Sequence, residues 1–272
     1  MNTGFGFSEI LLVLVLVVVF FGSKELPSFL REIARFTAKV RRYSDRIKRE
    51  LDDVTRSLDP QPDPMADQQQ KKKELRVRYL SERKKLGEQQ RAEKSAAITA
   101  TVRDCAAVKD ATMIMLYAEM GAEVITRPLI GELIGLQKRI VLPYLVAKTN
   151  EMKVAEIFSV DGDIVTGKYG APEPREELRG RFYKSDIDVV ICPGVAFDPQ
   201  GGRLGRGRGC YDGFLRELRG QIPVIGLAFD CQMLTDTLPF EYHDISMDMV
   251  ITESGIVVGA PSDGNADRTL AG

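Results

Sequence analysis

The sequence is poor in the residues that build metal centres and disulfide frameworks. Across 272 residues there is one histidine, His243, and four cysteines, Cys105, Cys192, Cys210 and Cys231. A single imidazole excludes a multi-histidine metal centre. No two cysteines stand as C-x-x-C, and their spacing fits neither a zinc site nor a disulfide scaffold, so scattered thiols in a reducing compartment are expected. Net charge is nearly absent as well: −1 formally, from 38 Lys and Arg against 39 Asp and Glu. That balance argues against a dedicated nucleic-acid binder, and no nucleic-acid partner is expected. Any phosphate-seeking basic surface has to be local.

Two further absences concern the N-terminus. No Lys or Arg precedes the apolar run Ile10–Phe21 (ILLVLVLVVVFF), and no A-x-A cleavage pattern follows it. Both features argue against a signal peptide. With Phe5 and Phe7 the apolar stretch comes to about 17 residues, the short end of what spans a bilayer. A buried core helix fits poorly because the residues that follow are strongly charged. Residues 1–22 are therefore predicted to be a transmembrane helix. Lys24, Arg31, Arg35, Lys39, Arg41, Arg42, Arg46, Lys48 and Arg49 lie after it, which places the C-terminal side in the cytoplasm. The expected localisation is the cell membrane, single-pass, with the rest of the chain cytoplasmic.

In residues 23–58 the apolar positions Leu26, Leu30, Ile33, Phe36, Val40, Tyr43, Ile47, Leu51, Val54 and Leu58 recur at steps of three or four. They share one face of a helix whose other face is basic. Such a helix lies on an anionic membrane surface, or offers its stripe to a partner helix. The sequence GFSE at Gly6–Glu9, the short apolar run, Phe21-Gly22 and KELP at Lys24–Pro27 together resemble the A and B subunits of the twin-arginine protein translocase. Glu9 is closer to the B type and Phe21-Gly22 to the A type. The resemblance covers residues 1–58 and implies a membrane partner and translocase subunits as partners. Residues 59–70 (DPQPDPMADQQQ) carry three prolines and no periodicity, and read as a linker. Met65 within it is a second place where a free-standing enzyme could begin.

From Lys71 the pattern changes. Helices are predicted over 71–86, 88–108, 123–136 and 211–219, and strands over 112–117, 139–143, 154–158, 188–194, 223–229 and 248–252. Alternating strands and helices predict an α/β fold: a three-layer, mostly parallel sheet with helices on both faces, preceded by the transmembrane and amphipathic helices. Ligands in such folds bind at the C-terminal ends of the strands. Residues 259–272 read as a disordered tail.

Residues 193–215, PGVAFDPQGGRLGRGRGCYDGFL, follow a buried strand and lead into a helix. Gly201, Gly202, Gly205, Gly207 and Gly209 let the backbone turn its N–H groups inward. Arg203, Arg206 and Arg208 add forks that match phosphate oxygens, and the helix start adds a positive end. The loop is neither G-x-x-x-x-G-K-[ST] nor G-x-G-x-x-G, yet it has the chemistry of a polyphosphate cradle. A flexible surface turn is the bland alternative. Asp212 closes the loop and Asp248 opens a later strand. Such carboxylates hold magnesium together with phosphates, although Asp212 by position could equally cap its helix.

The segment Pro193–Asp212 resembles the signature of the 5-formyltetrahydrofolate cyclo-ligase family, P-G-x-x-F-D-x-x-G-x-R-L-G-x-G-x-G-Y-Y-D. KKKELR (71–76), MGAEVIT (120–126), YGAPEP (169–174) and EYHDISMDMVITE (241–253) resemble further family segments, in order, so the likeness covers 71–258. It implies ATP as co-substrate, Mg2+, and a folate substrate. Carried over residue by residue, Lys72, Arg76, Arg203, Leu204, Gly205, Arg206, Gly207, Arg208, Gly209, Cys210 and Tyr211 would contact ATP. Ala118, Glu123 and Arg206 to Cys210 would face the folate. Arg206, Arg208 and Tyr211 would carry catalysis, and Asp212 and Asp248 would hold magnesium. One departure stands out: the family's first tyrosine before the aspartate is Cys210 here, which removes a ring and a hydroxyl beside the pterin. His243 lies in a matching motif with no clear role. The implied reaction is ATP-dependent closure of 5-formyltetrahydrofolate to 5,10-methenyltetrahydrofolate. The alternative reading is a translocase component whose enzyme domain is inactive or incidental; a fusion of adjacent genes, with Met65 as a relic start, is a third.

Overall fold

The computed structural model describes residues 64–259 except 147, 150 and 181–183, together with Ser44, Ile47 and Lys48. The chain divides into two compact units, Met1–Asp63 and Pro64–Gly272. In the first, Ser44, Ile47 and Lys48 are helical. The expected transmembrane helix, most of the amphipathic helix and the tail from residue 260 lie outside the described residues. Among the described residues no helix is long and apolar enough to cross a membrane.

The second unit opens with helix α1 (Pro64–Lys84). It starts inside the stretch predicted as a linker. The reason is local: Pro64 has the fixed φ that suits a helix's first turn, and the alanine, glutamines and lysines after it are good helix formers. Helix α2 (Glu88–Asp104) and the short α3 (Ala106–Asp110) replace one predicted helix, because Cys105 between them is extended at φ −63°, ψ 131°. Helix α4 (Arg127–Gly135) begins later than the pattern predicts. Glu119 accepts hydrogen bonds from the N–H groups of Thr126 (3.1 Å) and Arg127 (3.2 Å), and Pro128 follows in the first turn. These contacts fix the start there and leave 118–126 as a loop. Helices α5 (Val160–Asp163) and α6 (Cys210–Leu215) complete the set. The last is shorter than the predicted 211–219.

The strands are β1 (Met113–Met115), β2 (Arg139–Leu145), β3 (Met152–Ile157), β4 (Ile164–Thr166), β5 (Pro172–Pro174), β6 (Val189–Pro193), β7 (Ala196–Phe197), β8 (Arg203–Leu204), β9 (Val224–Leu227), β10 (Met249–Thr252) and β11 (Gly255–Val258). The main sheet runs β11-β10-β9-β6-β1-β2-β3. Its inner pairs are parallel, and β11 and β3 join antiparallel at the two edges. Two small hairpins, β4–β5 and β7–β8, stand outside it.

Alternation along the strands explains the three layers. Ile114, Ile140, Leu142, Val189, Ile191, Ile225 and Ile251 pack with Ile98 and Val102 of α2 and Leu129, Ile130 and Leu133 of α4. Met113, Met115, Val141, Val190, Cys192, Val224 and Val250 face the other way, against Phe214 and Leu215 of α6 and Leu218. Each fully buried side chain of this kind contributes about 1.5–3 kcal/mol. Both faces are covered, which is why the strands read as unbroken apolar runs. The chain leaves β1 toward β2 on one side and later enters β6 on the other. The strand order therefore reverses between β1 and β6, and the crevice at their C-terminal ends is where ligands bind in open α/β sheets.

Candidate active site

A cavity of about 570 Å³ opens at that reversal point, within the range of small-molecule sites. Its walls come from the loop after β1, the end of β2, the loop after β6, the start of α1 and residues 238–244. Five cationic side chains line it, Lys72, Arg76, Arg203, Arg206 and Arg208, with the carboxylates Glu123, Glu173, Asp212 and Asp244.

The loop after β6 is built in stages. Strands β7 and β8 pair Ala196 with Leu204 and Phe197 with Arg203. The buried Asp198 carboxylate accepts from the N–H groups of Gln200 (2.9 Å), Gly202 (2.8 Å) and Leu238 (2.8 Å), which fixes the turn and ties it to the far wall. Gly201 sits at φ +85°, where an added Cβ would fall 2.3 Å from the Met247 carbonyl oxygen. Gly207 is also left-handed, at φ +91°, and a Cβ there would lie 3.3 Å from the Arg76 guanidinium carbon. Arg76 Nε donates to the Gly205 carbonyl (2.9 Å), so α1 grips the crest of the loop.

Each basic group meets a specific partner. Arg203 Nη2 lies 2.8 Å from Asp212 Oδ1, and its guanidinium stands 5.3 Å from the Tyr211 ring centroid. Arg206 Nη2 lies 2.8 Å from Glu123 Oε1, while Glu123 Oε2 accepts from the Met120 N–H (3.0 Å). Lys72 is buried between Glu241 (2.9 Å) and Asp244 (2.6 Å). Arg208 stacks 3.4 Å above the Tyr169 ring. In the Arg203–Asp212 and Arg206–Glu123 pairs a guanidinium faces a carboxylate, the same fork geometry that suits phosphate oxygens. Arg203 Nε is buried and has no hydrogen-bond partner among the described residues. Burial pushes the hydroxyls of Tyr117 and Tyr211 well above the ordinary tyrosine range, reinforced by Glu123 beside Tyr117 and by Cys192 beside Tyr211. Both stay protonated near neutrality, and the Tyr117 hydroxyl donates to the Val124 carbonyl at 3.4 Å.

The structure brings Lys72, Arg76, Ala118, Glu123, Arg203 to Tyr211 and Asp212 to one cavity. It does not bring Asp248 there. The Asp248 carboxylate accepts from the Val224 N–H at 2.7 Å, at the N-terminal end of β9 and β10, and its own N–H donates to the Val224 carbonyl at 2.8 Å. Asp188 does the same two pairs along, accepting from Thr112 (2.7 Å) and Met113 (2.8 Å) at the start of β1. The expected pairing of Asp212 with Asp248 is corrected on this ground: parallel strands separate their two ends. Among the described residues no group of three or more His, Cys, Asp or Glu forms a cation cage. Magnesium needs no such cage where phosphates supply oxygens, and Asp212 at the cavity wall suits that arrangement.

Sequence reasoning missed several groups at the cavity. Tyr169 holds φ +61°, uncommon for a side chain of that size, and carries Arg208. Glu173 is buried; it accepts from the Leu145 N–H (3.3 Å) and pairs with Arg179 (3.0 Å). Both lie in the YGAPEP stretch, where the proline-rich turn was the available signal. Glu241 and Asp244, the partners of Lys72, lie in the EYHDISMDMVITE stretch, where the family resemblance was the available signal. His243 Nε2 lies 3.4 Å from Glu241 Oε2 at the cavity edge.

Comparison with known proteins follows the same boundaries. A model of the 5-formyltetrahydrofolate cyclo-ligase family matches residues 68–253. A model of the mttA/Hcf106 family (TatA, TatB and TatE) matches residues 3–50, in keeping with the translocase resemblance of the N-terminus. The chain is 29% identical over 180 residues to the 5-formyltetrahydrofolate cyclo-ligase of Haemophilus influenzae, covering 65% of this chain and 95% of that one. It is 33% identical over 144 residues to that of Escherichia coli, covering 53% and 79%. The fold is similar to the 5,10-methenyltetrahydrofolate synthetase of Aquifex aeolicus, with a TM-score of 0.61 at 29% identity over 73% of this chain and 97% of that one.

Proposed function

The chain belongs to the 5-formyltetrahydrofolate cyclo-ligase family, and from that premise we propose that it closes 5-formyltetrahydrofolate to 5,10-methenyltetrahydrofolate with cleavage of ATP to ADP and phosphate, on the cytoplasmic face of a membrane. The observation that carries this reading is the closure of the glycine- and arginine-rich loop over a cavity whose opposite wall presents Glu123.

The formyl oxygen attacks the γ-phosphorus and ADP leaves. The N10 lone pair then attacks the formyl carbon, the C–O bond to phosphate breaks, and the N10 proton is lost. Reactions of this type depend on positioning and charge neutralisation more than on a protein nucleophile. Arg203, Arg206 and Arg208, with the backbone N–H groups of Gly205 to Gly209, bind the triphosphate; Lys72 and Arg76 reach it from α1. Glu123 and the rim at Ala118 orient the pterin, and Tyr211 donates a hydrogen bond from a hydroxyl that stays protonated. Magnesium, held by Asp212 with the phosphate oxygens, would add charge neutralisation at the transferred group. Cys210 leaves more room beside the pterin than the family's tyrosine.

The test is the appearance of methenyltetrahydrofolate absorbance with the detergent-solubilised full chain, with and without ATP and magnesium. Turnover requiring both supports the proposal; none from a folded chain removes it.

A second reading, a translocase component carrying this enzyme unit, is favoured by the match over residues 3–50. The apolar run Ile10–Phe21 and the basic residues after it support a membrane tether with the enzyme unit inside. Resistance of the chain to alkaline extraction from membranes tests the tether, and blotting for a shorter soluble product tests a start at Met65.

A further inference from the structure

Arg83 stands in the last turn of α1, outside the residues assigned to either ligand, and is only 3% exposed. Its Nη1 donates to the Gly194 carbonyl at 3.1 Å. Its Nε is buried without a partner. The same carbonyl already accepts from Gln232 Nε2 at 2.9 Å, which also reaches Val195 O at 3.0 Å. The fold therefore does not require a guanidinium to satisfy Gly194. Burying a cation with an idle N–H is unfavourable, and a buried polar group of this kind in a native protein calls for an explanation.

The explanation lies in what surrounds it. Gly194 is the root of the glycine- and arginine-rich loop, and the space there is closed: a Cβ would sit 2.4 Å from the Phe197 ring. Burial lowers the Arg83 pKa, with Glu123 acting against that and Arg206 with it. Arg206, paired with Glu123, is 46% exposed at its side chain and lines the cavity; Arg83 is buried. From α2, Arg91 repeats the device on the loop after β1, with Nη1 on the Gly121 carbonyl at 2.7 Å, two residues before Glu123, and its own Nε buried without a partner among the described residues.

We propose that Arg83 is a positioning residue: pinned to Gly194, it fixes the root of the phosphate-binding loop. This rests on the cyclo-ligase reading above.

The test compares the full chain with Arg83→Met and Arg83→Lys, reading thermal midpoint, kcat, the KM for each substrate, and ATP affinity by calorimetry. The expected result for Arg83→Met is a midpoint equal to or above the parent, because an apolar side chain of similar length suits that site better. Its kcat/KM should fall by about ten-fold or more, since small misplacements of a binding loop are costly. Arg83→Lys should recover most of the loss. Arg83→Met retaining kcat/KM within about two-fold overturns the proposal. So does parallel loss of activity and midpoint in both variants, which marks a purely structural role. If the parent chain turns nothing over, the cyclo-ligase reading fails and the calorimetry still decides: weaker ATP binding by Arg83→Met, reversed by Arg83→Lys, supports Arg83 as a positioning residue, and unchanged binding overturns it.

Discussion

Arg203 and Asp212 tie the two ends of the glycine- and arginine-rich turn to each other, with 2.8 Å between Nη2 and Oδ1 and side chains only 3% and 15% exposed. The turn between them is a ring closed by a charge pair. Removing one partner strands the other in a dry place. Asp212→Ala is expected to cost on the order of 3 kcal/mol, whereas Arg203→Met with Asp212→Ala together should cost clearly less than the sum of the single changes. Urea unfolding of the four proteins measures this, and additive losses would mean that the pair holds nothing.

The correction at Asp248 separates metal from scaffold. Its carboxylate closes the starts of β9 and β10 through the Val224 N–H. Asp248→Ala should lower stability by about 1–3 kcal/mol, the cost of leaving that donor unsatisfied. The magnesium concentration for half-maximal activity should not move. Asp212→Asn should move it. A shift in magnesium dependence in Asp248→Ala alone would restore Asp248 to the metal.

Arg208 lies on the Tyr169 ring at the cavity mouth and is itself exposed. The stack contributes about 0.5–1 kcal/mol at such a site, so Arg208→Ala should leave the unfolding midpoint nearly unchanged. Its kcat/KM for ATP should fall by about 100-fold if the guanidinium meets developing charge on the transferred phosphoryl group. Steady-state kinetics at varied ATP distinguish this from a surface arginine, whose loss would leave both quantities alone.

The parallel sheet was legible because Val, Ile and Leu runs broken by helical patterns have few other solutions. The place of the glycine- and arginine-rich loop at the cavity was legible because glycine and arginine interleave there in a way that surface turns seldom do. Three things were not. The start of α4 depends on Glu119 reaching forward to the N–H groups of Thr126 and Arg127, a contact that periodicity does not encode. The place of Asp248 depends on which end of a strand faces the ligand, and a residue at a strand's first position in a parallel sheet lies away from it. Lys72 was legible as a cation, but its partners Glu241 and Asp244 stand at sequence separations of 169 and 172. Only the tertiary fold brings them together.

Cys192 gives a pH test that is independent of function. It lies on β6 with no exposed surface, and burial pushes its thiol up to about 12, from an ordinary 9.0. A raised folded value means that the unfolded chain releases its proton first. Below the unfolded pKa both states hold the proton and the contribution to stability is fully present. As pH rises beyond about 9 the unfolded state binds fewer protons, so unfolding becomes easier by up to about 1.4 kcal/mol per pH unit. Tyr117 and Tyr211, also raised by burial, add a second decline only above their ordinary value of 10.0. Cys231, also raised by burial from an ordinary 9.0, shares the window between pH 9 and about 10, so the Cys192 thiol is isolated by comparing the parent with Cys192→Ala there. Unfolding free energy measured there should slope downward in the parent and less steeply in Cys192→Ala, whose absolute stability is lower because of the cavity left behind. Equal slopes would mean that the Cys192 thiol ionises as freely in the folded chain as in the unfolded one, and that the face of β6 packed against Phe214 and Leu215 admits water.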